Sequence, residues 1–92
     1  MNVEIVKRDL DEALVHLQDL VNEFRAGKIQ EDDEPVVAVN LGHILDHISR
    51  AWNCKDMSWE QRASLSQGEF ERLSNTVPNF LGERVIGEFA LG

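Results

Sequence analysis

Between residues 3 and 24, apolar side chains recur three and four apart without a miss: Val3, Val6, Leu10, Ala13, Leu17, Leu20 and Phe24. Only an amphipathic helix keeps such a series on one stripe of its surface. A second stripe, Val37, Leu41, Ile44, Ile48 and Ala51, follows the same rule. The stretch between them, "KIQEDDEP", is short, so the two helices are expected to pack antiparallel. Setting Phe24 against Val37 then pairs Leu20 with Leu41, Leu17 with Ile44, Ala13 with Ile48 and Leu10 with Ala51. The residue numbers in each pair add to the same total, and every pair is apolar. That agreement between two independent patterns makes the hairpin the firmest expectation.

Local signals bound the elements. Asn2 is suited to cap the first helix, and Gly27 stands where a chain leaving a helix takes a positive φ. Pro35 fits the first turn of the second helix, and the acidic residues before it favour the positive end of its dipole. Two capping-box patterns follow, "SWEQ" at Ser58–Gln61 and "SQGE" at Ser66–Glu69. The spacing predicts helices over 3–26 and 35–54, a loop over 27–34, and short helices over 59–65 and 67–75. The residue before Pro78 avoids helical angles, which starts a tail over 77–92. Its apolar residues Leu81, Val85, Ile86 and Phe89 are expected either to pack on the hairpin or to meet a second chain. The fold class is therefore all-α. A long antiparallel helix hairpin is closed by two short helices, with a C-terminal tail of uncertain order, all in one domain spanning 1–92.

The two flanks of the hairpin seam differ in character. One carries Leu14, Val21, Ala38, Leu45 and Trp52. The other carries Asp9, His16, Glu23, Asn40, His47 and Cys54. The apolar flank is the one expected to be covered by Trp59, Phe70, Leu73 and Phe80, leaving the polar flank in water. On this reading Ile48 lies deep in the seam, and Ile48→Asp is expected to unfold the domain.

Chemistry-bearing residues are few. "GHILDHISRAWNC" sets His43 and His47 four apart, with Cys54 seven further on. Seven residues of helix rise ~10.5 Å, too far for one ion with bonds of ~2.0–2.3 Å to reach both His47 and Cys54. The hairpin register instead brings His16 level with His43 and His47. These three form the candidate metal set, of a kind that takes zinc, with Glu12 one turn away as a fourth ligand or a hydrogen-bond acceptor behind one. The competing expectation is three solvated histidines whose acidic neighbours favour the protonated form. Cys54 has no nucleophile signature and is read as an inert thiol. No catalytic set and no phosphate-binding loop are evident.

Composition narrows the function classes. Over 92 residues the formal net charge is −8, which disfavours binding to nucleic acid or to an anionic membrane surface. The longest apolar run, "VVAV", cannot span a bilayer. A single cysteine and an N-terminal stretch without an apolar core point to a cytoplasmic protein. The expected function is a small acidic, non-enzymatic interaction or regulatory module that meets a protein partner or pairs as a homodimer and needs no cofactor. The alternative is a zinc-type metal-binding protein built on His16, His43 and His47.

Overall fold

The structure is a computed structural model describing residues 1–78. The described chain is all-helical, with α1 (Val3–Arg25), α2 (Glu34–Asn53), α3 (Trp59–Ala63) and α4 (Gln67–Asn75) in that order. None of these helices is long and apolar enough to cross a membrane. The expectations placed on Phe80, Leu81, Val85, Ile86 and Phe89 lie outside the described residues.

α1 and α2 pack against each other as an antiparallel hairpin, and α4 packs on α2. The start of α1 is fastened to the end of α2. The Asn2 side chain accepts from the Ile5 amide and donates to the Met57 carbonyl, while its own amide bonds the Lys55 carbonyl. Gly27 leaves α1 with φ 71°, a conformation that costs glycine little because it has no Cβ. Pro35 occupies the first turn of α2. Ser58 and Ser66 each close a reciprocal capping box, with Gln61 and Glu69 respectively. These boxes hold the short helices in place, since helices this brief are unstable without tertiary or capping support.

The cover lies on the opposite flank from the one expected. Residues facing the short helices and the interior include Asp9, His47 and Cys54, all buried, whereas Leu14 and Leu45 are 59% and 60% exposed. Even the seam is only half closed. Ala13, Leu20 and Ile44 form the buried apolar cluster, while Leu10, Leu17, Leu41 and Ile48 stay exposed. Each long helix is thus rolled toward its polar side.

The reason is matched polar chemistry in the cover. From α3, Arg62 grips both carboxylate oxygens of Asp9, at 2.7 and 2.9 Å. From α4, the Ser74 hydroxyl accepts from Arg50 at 2.8 Å and donates to the Phe70 carbonyl. Asn53 donates to the carbonyls of Leu73 and Thr76. The Phe70 ring lies beneath both the Arg50 and Arg62 guanidinium groups. Buried polar groups are tolerable when partnered, and this flank carries partners for most of them; among the described residues His47 Nε2 and Arg50 Nε are the buried atoms left without one.

Candidate functional site

One helical turn on each long helix builds the site. Glu12 and His16 are four apart on α1, and His43 and His47 are four apart on α2, so each pair shares a helix face. The antiparallel packing brings the two faces together. His16 and His43 approach Nε2 to Nε2 at 3.2 Å, with ring centroids 4.3 Å apart. The His47 ring stacks on His16 at 5.0 Å and meets His43 edge-on at 4.8 Å. One ligand nitrogen from each of the three rings lies within 4.8 Å of the other two. The register drawn from the sequence therefore does unite His16, His43 and His47.

Their surroundings differ from the solvated face expected. His43 is exposed and His16 half-buried, but His47 is only 6% exposed. Burial lowers the His47 pKa below its usual 6.5, the Arg50 charge lowers it further, and Glu12 only partly offsets both. For His47 the expectation that acidic neighbours favour the protonated form is overturned, because desolvation outweighs the carboxylate.

His47 Nδ1 has two neighbours with opposite demands. An Arg50 amino group lies 2.6 Å away and Glu12 Oε2 3.2 Å away. A guanidinium only donates and a carboxylate only accepts. The shorter contact, with Arg50, requires Nδ1 to accept, which puts the ring proton on Nε2. That Nε2 is buried and has no hydrogen-bond partner among the described residues.

Comparison with protein families, with curated proteins and with solved structures finds no match. The site must be judged on its own chemistry.

A second set of donors overlaps the first: Asp9, Glu12 and His47 also converge. Arg62 already bonds both Asp9 oxygens, so an ion there would compete with that pair. Cys54 is fully buried, and its thiol is pushed to a higher pKa by desolvation. Both features agree with the expectation of an inert thiol. Asp9, Arg50 and Arg62 are the participants that sequence reading missed. Asp9 stood on the polar flank and Arg62 inside a capped helix, but no spacing rule joins residues so far apart in the chain.

The other distinctive surface is the open flank of the hairpin. Leu10, Leu14 and Leu17 on α1 and Leu41, Leu45 and Ile48 on α2 are all exposed, and each set recurs three and four apart along its helix. Where the start of α1 meets the end of α2, Met1, Val6, Leu10, Ile48, Ala51, Trp52 and Lys55 line a shallow, mostly apolar groove. No charged residue occupies the stripe between Leu10 and Leu17 or between Leu41 and Ile48.

Proposed function

We propose that this chain is a small acidic, non-enzymatic interaction module of the cytoplasm that pairs with a second copy of itself through the open flank of the hairpin. The observation carrying this reading is the exposure of Leu10, Leu14, Leu17, Leu41, Leu45 and Ile48 on one side of two adjacent helices. Monomers rarely leave contiguous apolar patches beyond a few hundred Å² in water, and each of these six side chains is at least 37% exposed.

A second copy is the favoured occupant for two reasons. Two hairpins related by a two-fold axis can set the same leucine stripes against each other, closing a four-helix bundle of the usual kind. In addition, a chain with net charge −8 repels its own copies everywhere except over an uncharged surface. The stripe supplies that surface.

The experiment is light scattering coupled to size-exclusion chromatography on the tag-free full chain, across micromolar to millimolar concentrations. The expected result is a dimer that Leu14→Glu combined with Leu45→Glu converts to a folded monomer. A wild-type monomer at every concentration overturns the reading. So does a monomer that associates only after removal of residues 79–92, since the flank would then belong to the chain's own C-terminal segment.

A further inference from the structure

We propose that His16, His43 and His47 form a site for a zinc-class divalent ion within a single chain, with Glu12 as the positioning residue behind His47. The proposal goes beyond self-association and does not depend on it.

Three observations carry it. The first is geometric. An ion bound tetrahedrally through bonds of ~2.0–2.1 Å holds its ligand nitrogens ~3.3–3.4 Å apart. His16 Nε2 and His43 Nε2 already stand 3.2 Å apart, and the third ring offers a nitrogen within 4.8 Å of both. For all three to bond one ion, the third nitrogen must close from as much as 4.8 Å to ~3.3–3.4 Å.

The second is the unpartnered nitrogen. His47 is more than nine-tenths buried, and its Nε2 has no hydrogen-bond partner among the described residues. Buried polar atoms are almost always satisfied. Its Nδ1 is already engaged, so Nε2 is the nitrogen free to meet an ion.

The third is the carboxylate behind the ring. Metal-bound histidines usually donate their other ring N–H to an acceptor, which fixes the tautomer and raises ligand basicity. Glu12 Oε2 lies 3.2 Å from His47 Nδ1, in that position. Binding at Nε2 transfers the ring proton to Nδ1, from which it is donated to Glu12. The Arg50 amino group then withdraws, while the other Arg50 amino nitrogen keeps its bond to Ser74.

The donor set selects the ion class. Three imidazoles suit zinc and its neighbours, whereas calcium and magnesium require oxygen ligands. His43 is exposed, so a fourth coordination position faces solvent and takes water, as in three-ligand zinc sites generally. The alternative set, with Asp9 and Glu12 in place of the outer histidines, is disfavoured because an ion there would compete with Arg62 for the Asp9 carboxylate.

The test uses tag-free full-length protein stripped with a chelator and titrated with zinc chloride by calorimetry. Cobalt(II) absorption serves as the second readout. One zinc per chain is expected, with a raised melting temperature and cobalt bands typical of four-coordination. His43→Ala is the decisive variant, because an exposed residue can be removed without unfolding the chain. It should weaken zinc binding at least tenfold while leaving the far-ultraviolet circular dichroism unchanged, and His16→Ala should do the same. Glu12→Gln should weaken binding about 10–100-fold without changing the cobalt bands. Nitrogen-resolved imidazole spectra should show the His47 proton moving from Nε2 to Nδ1 on zinc addition. No binding below about millimolar, or binding indifferent to His43→Ala and His16→Ala, overturns the site. Half an ion per chain overturns it too, by placing the ion between copies. Affinity unchanged in Glu12→Gln, or a His47 proton that stays on Nε2, removes Glu12 from its role.

Discussion

Asp9 shows how much a single buried charge decides in a chain this small. It is 1% exposed and held bidentately by Arg62, so removing one partner strands the other in a poorly hydrated place. Asp9→Ala is expected to cost about 3–5 kcal/mol, a large share of the stability of any small domain. Denaturant titration of this variant beside Asp9→Ala/Arg62→Met checks it. The double variant should recover part of the loss, and equal losses in both would contradict a buried pair. His47 gives the second prediction at this scale. Its folded-state pKa lies below 6.5, so in mildly acidic solution the unfolded chain binds a proton that the folded chain does not. Stability therefore rises with pH through this window and falls as pH drops below the unfolded value. In chelator-treated protein the midpoint for wild type should fall between pH 7 and pH 5 by more than that for His47→Gln. Parallel pH profiles for the two proteins would exclude His47 as the cause.

At the scale of elements, the apolar period, the capping boxes and Gly27 were legible because each is a local rule acting within a few residues. Which flank of the hairpin receives the cover was not legible. A hydrophobic pattern says which faces are apolar. It cannot say that Arg62, Ser74 and Asn53 bring partners able to bury Asp9, Arg50 and the end of α2. The same limit explains the histidines: their convergence followed from register, but the burial of His47 depended on a cover whose side was unknown. Ile48 marks the practical consequence. It is 37% exposed, whereas Ile44 is 6% exposed, so the disruptive site moves one turn along α2. Ile44→Asp is now expected to unfold the domain, because the charge has no partner in the buried cluster with Ala13 and Leu20. Ile48→Asp should leave the helical content intact and act instead on association. Circular dichroism of the two variants separates these outcomes, and unfolding by both would restore Ile48 to the core.

The whole molecule leaves more large apolar side chains exposed than buried among its described residues. A domain of this size is marginal even with its core complete, so the proposed burial between copies would add stability where the monomer lacks it. Electrostatics oppose that step, because each copy carries the same net charge of −8. The balance makes a specific demand on salt. Repulsion between two acidic surfaces is screened over ~8–10 Å at physiological ionic strength, while contacts between leucine stripes are not weakened by screening. Raising sodium chloride from about 0.01 M, where charges act over ~30 Å, to about 0.15 M should therefore tighten the dimer. An interface held by ion pairs would loosen over the same range. Sedimentation equilibrium at several salt concentrations measures this directly, and the apparent melting temperature should rise with protein concentration as mass action requires. Leu14→Glu with Leu45→Glu should abolish both dependences together, since the variant removes the uncharged surface on which two acidic chains can meet. Dissociation promoted by salt, or a melting temperature independent of concentration in wild type, would rule out an apolar interface on this flank.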